Sequence, residues 1–322
     1  MAPTTSALSP TDAPLTPGTS AEGSMVPTLH GTNTSSTRRT GSTRYGPFEL
    51  RWTETGPFDG PVTLLLHGIY AGAHGYEWRE LVPLLDGSMP GAGAPHRVRV
   101  ADLLGAGGSD RPDLEYDPAV VLGAVRALIG DCGPHCTVIA SSLTGAYATK
   151  AIADSIRPGD TPADTPRLVL VTPTGLGDAQ RRRGGLVARA AYAVGRHTPI
   201  GDLAVAALTS GPSVRWFQRN KTYSNPEALH EDEVVETRRA GRLPNGKHLQ
   251  LAFVTGRLAL PLSRADVRAA RPLVVWARGQ AFSEDSDMAL WQAAGATVVA
   301  VPSGLPQVEE PGRLADLIRT RA

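Results

Sequence analysis

Cysteine is nearly absent: two of 322 residues, Cys132 and Cys136. One pair cannot form the multi-bridge framework of a small secreted domain, and a chain of this length can bury a core without one. The motif "CGPHC" sets His135 between the two thiols. Two thiols and one imidazole lack the second ligand pair of a convincing zinc site, so the segment reads as a loop into a buried strand and no metal is expected. Net charge is also small, +1 from 32 basic and 31 acidic side chains. Overall charge therefore calls for neither nucleic acid nor an anionic membrane as partner. No stretch holds about 18 uninterrupted apolar residues, which speaks against a membrane-spanning helix. The first residues lack the charged start and apolar stretch of a secretory signal, so a cytoplasmic location is expected. Residues 1–43 are rich in Thr, Ser, Pro and Gly without apolar periodicity and read as a disordered tail.

Past that tail, short apolar runs recur at regular intervals. "FELRWTE" alternates like an exposed strand, whereas "VTLLLHG" is a continuous run of the buried kind. "YEWRELVPLL" sets Trp78, Leu81, Val82 and Leu85 on one helical face. Further strands are expected at "RVRVADLLG", Thr137–Ser141, "RLVLVTP", "PLVVWA" and "TVVAVP". Helices are expected over Pro118–Ile129, Leu143–Ile156, near Glu284–Ala294 and from Gly312. Strands alternating with helices predict an α/β fold, a mostly parallel sheet with helices on both faces. The strand signal vanishes between Gly175 and about Ala270, where four segments read as helices joined by polar links. The expected division is a core of residues 44–175 and 271–322 with a helical lid, 176–270, over the sheet edge where ligands bind.

In "TVIASSLTGAYATKAIA" an apolar run ends in two serines and continues as a helix. Ser142 stands at the centre of a small-residue turn, Ala140 to Gly145, of the kind that holds a nucleophile in strained backbone between strand and helix. The N–H of Leu143 would open that helix and face an oxyanion. The run "LLLHGIYAG" ends a strand at His67-Gly68 and would bring a second donor, the N–H of Ile69. "DLLGAGGSDRP" is glycine-rich but lacks the Gly-Lys-Ser/Thr ending of a phosphate loop.

Taken in order, "HGIYAGAHGYEW", "DLLGAGGSDRP" and "VIASSLTGAYA" resemble the α/β-hydrolase superfamily, above all its lid-bearing esterases, epoxide hydrolases and haloperoxidase-like proteins. The resemblance runs from Tyr45 to Leu317. It implies Ser142 as nucleophile, Ile69 and Leu143 as oxyanion donors, and His67 and Gly68 at the substrate. It also implies an acid after "PLVVWA" and a histidine after "TVVAVP", and there this chain departs. Gln280 stands where the acid is expected and Leu305 nearest the histidine's place, with Gln307 where a second histidine sometimes lies. No histidine follows His248.

A serine hydroxyl is a poor nucleophile unless a neighbouring base takes its proton. His74, in the loop after the oxyanion segment, and His197, at a helix end beside Arg196, are the candidate displaced bases. Asp178, Glu284 and Asp285 are candidate displaced acids, although the carboxylates of "FSEDSD", like Glu77, suit helix starts. Arg79 and Arg111 read as ion-pair partners. Arg181–Arg183 could bind a substrate carboxylate or a carrier-protein phosphate, or be a solvated charge run. Trp216, Phe217 and Tyr223 could line an apolar pocket beneath the lid. No cofactor is expected. Three functions fit the resemblance. The first is a non-hydrolytic enzyme performing cyclisation, elimination or lyase-type chemistry on a small hydrophobic, polyketide-like metabolite; the many Ala, Arg, Gly and Pro with few Lys suggest a GC-rich bacterial source, in which such a chain would suit specialised metabolism. The second is a serine hydrolase with a displaced base, and the third a non-catalytic binding or scaffold protein.

Overall fold

Four aliphatic runs, Val62–Leu66 (β3), Thr137–Ser141 (β5), Arg167–Val171 (β6) and Leu273–Ala277 (β7), form the centre of an eight-stranded sheet. The computed structural model describes residues 38–176, 185–278 and 285–320. With Arg39–Tyr45 (β1), Phe48–Thr55 (β2), Arg97–Ala101 (β4) and Thr297–Val301 (β8), the strand order is β1-β2-β4-β3-β5-β6-β7-β8. β2 runs antiparallel to β1 and β4; the other neighbours are parallel.

A strand's two-residue period splits its side chains between two cores. Leu64, Leu66, Val138, Leu168, Leu170 and Val274 face one core, together with helices Pro118–Cys132 and Ser142–Ser155. Leu65, Ile139, Val169 and Val275 face the other, against Trp78, Leu81, Leu85 and Ile318. Strands covered on both faces need no polar alternation, which is why these runs are continuous.

The chain steps from β3 outward to β4 and then back across to β5, so the connections diverge between β3 and β5. A crevice opens at the carboxyl ends of strands at such a point. The loops that follow β3 and β5 carry His67-Gly68-Ile69 and Ser142, and the topology brings them together there.

Helices are numbered in chain order, α1 being Val82–Leu85, α2 Pro118–Cys132 and α3 Ser142–Ser155. Between β6 and β7 come α4 (Leu186–His197), α5 (Pro199–Leu208), α6 (Gly211–Phe217), α7 (Glu231–Gly241), α8 (Lys247–Val254) and α9 (Arg264–Ala270). α10 (Asp285–Ala293), α11 (Pro306–Glu309) and α12 (Pro311–Thr320) complete the described chain.

Two expectations need correction. Residues 39–43 are not tail but part of β1, paired with β2 from Arg39↔Glu54 onward. The strand is polar because it lies at the sheet edge, and Gly41 leaves room for the Trp52 indole, whose ring a Cβ there would meet at 2.4 Å. "YEWRELVPLL" is not one helix but a turn over Gly75–Trp78 followed by the single turn α1. Pro83 in the first turn of α1 has no N–H to continue an upstream helix. Trp78, Leu81, Val82 and Leu85 are nonetheless all buried.

Candidate active site

Ser142 has φ 51°, in the left-handed region, directly between β5 and α3. A non-glycine residue there costs of order 1–3 kcal/mol, a strain that the surrounding packing must hold. The Thr144 hydroxyl donates to the His67 carbonyl at 2.7 Å, tying the elbow helix to the loop after β3. Gly68 lies so close that a Cβ on it would stand 3.3 Å from the Ser142 Cβ. Ile69 and Leu143 are on the cavity wall with Ser142, and among the described residues no hydrogen bond engages either backbone N–H. Leu143 is in the first turn of α3, whose positive dipole end adds to its pull on a developing negative charge.

The structure places His67 away from the described cavity wall, fully buried. Its Nδ1–H donates to the Gly68 carbonyl at 2.7 Å, and its Nε2 accepts from the Leu103 N–H at 3.1 Å. Burial lowers the imidazole's pKa, in keeping with this neutral tautomer. Gly68 is likewise off the wall, its N–H donating to Glu77 Oε2 at 2.9 Å. The glycine-rich turn after β4 folds around a carboxylate of its own chain. Asp102 accepts from Gly75 and Gly108 N–H groups at 2.8 Å each. A Cβ on Gly107 would come within 2.1 Å of Asp102 Oδ2.

Glu77 does more than start a turn. Its carboxylate is buried on the cavity wall and accepts from Gly68 N–H, from Tyr70 Oη at 3.3 Å and from Gln307 Nε2 at 2.9 Å. Burial, then the Glu77 charge, push the Tyr70 phenol well above its ordinary value, so it remains a donor. Nearby, Arg79 Nη2 and the Tyr223 hydroxyl both donate to Glu233 Oε2, the former at 2.8 Å. Their partnership was invisible in sequence because Arg79 and Glu233 are 154 residues apart.

Ser142 opens into a cavity of about 1270 Å³. Of the residues singled out in the sequence, Ser142, His74, Ile69, Leu143, Phe217, Leu305 and Gln307 are on its wall. Trp216 is instead 59% exposed on the outer surface. His197 is exposed at the end of α4 and off the wall, so it is not placed to act as a base. Arg196 pairs with Asp113, and Arg111 donates to the carbonyls of Gly107, Ser109 and Pro244. Gln280, Asp178, Glu284 and Arg181–Arg183 lie outside the described residues. Leu305 brings an aliphatic side chain to the wall.

His74 is the one histidine on the described wall. Its Nδ1–H donates to the Gly72 carbonyl at 3.1 Å, and its Nε2 faces Glu236 Oε2 at 3.5 Å, an ion-pair separation. The His74 imidazole, and then Arg239, hold the Glu236 carboxyl at about 2. Both ring nitrogens thus point at acceptors other than Ser142, and among the described residues no hydrogen bond reaches the Ser142 hydroxyl. Among the described residues the wall carries three carboxylates, Glu77, Glu233 and Asp287. Asp287, on α10, is the one of the three with no hydrogen bond or ion pair among the described residues. Reading the sequence overlooked it in favour of its neighbours Glu284 and Asp285.

A model of the alpha/beta hydrolase family matches residues 63–317. Over 64 residues the chain is 46% identical to the magnesium-chelatase 30 kDa subunit of Rhodobacter capsulatus, a match spanning 20% of this chain and 19% of that protein. A serine hydrolase involved in carbazole degradation superposes with a TM-score of 0.65 at 16% identity, covering 88% of this chain and 98% of the other. The enol-lactonase from Burkholderia xenovorans LB400 superposes with a TM-score of 0.62 at 17% identity, covering 85% and 96%. Identities this low speak for the fold alone. The family match, extending over most of the chain and over the Ser142 elbow, the loop after β3 and the strands from β3 to β8, means that this chain belongs to the alpha/beta hydrolase family.

Proposed function

We propose that the protein is an α/β-hydrolase-fold enzyme that moves a proton on an amphipathic carbonyl compound, leading to elimination or ring closure rather than to an acyl-enzyme. The observation that supports this best is Ser142 beside two backbone donors that are unengaged among the described residues, with no described imidazole directed at it. The carbonyl oxygen would sit between the N–H groups of Ile69 and Leu143. As a proton leaves the adjacent carbon, the negative charge gathering on that oxygen is stabilised by donors already in place. Asp287 would accept the proton, its carboxylate being the one with free capacity on the wall.

A small hydrophobic, polyketide-like molecule suits the wall, where Leu176, Phe253, Leu258 and Leu262 form an apolar side. Opposite needs are set by Gln218 and Gln307, whose buried side-chain oxygens have no partner and would accept from ligand hydroxyls. In deuterated water, the protein should exchange the α-hydrogen of a hydrophobic ketone. Asp287→Asn should lower that exchange by about 10²–10⁴-fold. Ser142→Ala should leave at least a tenth of it. Equal collapse of both variants in folded protein would count against the assignment.

A second reading, a serine hydrolase, draws on the His74–Glu236 pair at the cavity wall. It requires the His74 ring to turn a nitrogen toward Ser142 when substrate binds. Fluorophosphonate labelling of Ser142, lost in His74→Asn, would establish it in place of the first.

A further inference from the structure

Ten of the eleven exposed large apolar side chains among the described residues lie between Leu186 and Val254. They are not scattered. At about 100° per residue, Leu186, Val187, Ala190 and Val194 share one arc of α4, opposite the buried Tyr192 and Gly195. On α5, Ile200, Leu203 and Ala207 do the same, opposite the buried Gly201 and Val205. Leu186, Val187 and Leu203 are 81%, 85% and 70% exposed.

The inner faces of this pair are already satisfied. A Cβ on Gly201 would fall 1.9 Å from the Gly195 carbonyl oxygen, so the two helices touch backbone to backbone at their glycines. Tyr192, Val205 and Leu251 join the core beneath. The outer apolar face is therefore not a core that failed to close. Further along the chain, α6 adds the exposed Trp216 and Phe217, the latter also on the cavity wall.

Charge identifies what covers it. Arg189 borders the apolar arc of α4, and Arg219 and Lys221 follow Trp216 and Phe217. All three are exposed and, among the described residues, none is in an ion pair. A two-fold dimer through this face would bring the three cations of both protomers into or beside one interface. Anionic lipid headgroups would pair with them instead, while the aliphatic arc enters the acyl boundary and Trp216 sits at the interface.

We propose that the outer face of α4 and α5, with Trp216, docks on the surface of an anionic lipid bilayer. The net charge of +1 conceals this because acidic residues elsewhere balance the rim. The cavity mouth at Phe217 then opens at the membrane surface, where an amphipathic molecule would be taken up.

Vesicle co-sedimentation of the full chain tests the proposal, comparing phosphatidylcholine alone with phosphatidylcholine containing one-third phosphatidylglycerol. Binding should appear on the anionic vesicles and weaken as salt is added. Ile200→Glu/Leu203→Glu should remove it on both vesicle types. Arg189→Glu/Arg219→Glu/Lys221→Glu should lower it at least about tenfold on anionic vesicles. Thermal melts of these surface variants should match the parent, separating loss of docking from loss of fold. No binding to either vesicle would overturn the proposal. So would a dimer, seen by light scattering, that the Ile200→Glu/Leu203→Glu protein loses while lipid binding is absent throughout. Binding that ignores phosphatidylglycerol and salt would overturn the assignment of the basic rim.

Discussion

The central sheet and the helices between β6 and β7 are built from the same aliphatic residues and dispose of them in opposite ways. Leu170, in β6, has hydrogen-bonded neighbours on both sides and helices on both faces, and no part of it reaches water. Leu203, in α5, leans on the molecule through the opposite side of its helix and stands open to solvent. A strand inside a covered sheet has no free face, whereas a helix packed on the outside of the molecule has one buried side and one that is free to vary. The Ser142 elbow and the loop after β3 are rooted in the first kind of structure, and part of the cavity wall comes from the segment that holds the second. Ser142 and the loop after β3 are thus held rigidly, and the outer surface of α5 can change without disturbing them.

The contrast can be measured directly. Leu170→Ala should cost about 2–5 kcal/mol in urea unfolding, because it leaves a cavity between packed layers. Leu203→Ala should stay within about 0.5 kcal/mol of the parent. Similar costs would mean that α5 is covered in solution and that the contrast fails.

Glu77→Ala comes next. It strips Gly68, Tyr70 and Gln307 of a shared charged acceptor, at about 1.5–3 kcal/mol for a hydrogen bond of this kind. Hydrogen exchange at the Gly68 and Ile69 amides should accelerate in that protein while exchange in β5 stays slow. Uniform acceleration would show global destabilisation instead of a loosened oxyanion loop.

Ser142→Gly should work the other way. Relief of left-handed strain should raise stability by about 1 kcal/mol. Ser142→Ala should give no such gain, and an equal gain from both would place the effect outside the backbone.

The smallest expected effect concerns Glu236, on α7. Its folded pKa of about 2 lies below the ordinary 4.5. Its contribution to stability is therefore complete above pH 4.5 and is lost as pH falls toward 2. Its side chain is 23% exposed, so water screens the pair and keeps the effect modest. Glu236→Gln should remove this acid-dependent component from denaturation curves taken between pH 5 and 2. An unchanged slope would show that the pairing with His74 and Arg239 does not persist in solution.

Local pattern was a good guide where burial is symmetrical. The aliphatic strands and the elbow serine stood out because a doubly covered strand must be apolar throughout and a tight strand-to-helix turn must be small. Pattern misled where a residue's partner is distant. His67 looks like a ligand contact beside the oxyanion glycine, yet Leu103 and the Gly68 carbonyl occupy its ring. Trp216 looks like pocket lining because aromatics usually bury, yet its helix turns it outward while Phe217 meets the cavity. Residues 39–43 have the composition of a tail and the position of an edge strand.

By itself the sequence determined the alternation of strands and helices, the small-residue elbow at Ser142 and the glycine beside it. These follow from steric and solvation rules acting within a few residues. Tertiary structure alone decided that Glu77 anchors the loop after β3, that His74 turns to Glu236, that Asp287 reaches the cavity and that α4 and α5 each expose an apolar arc. Each of those depends on which distant groups occupy the space around a side chain, and short-range periodicity carries no record of that.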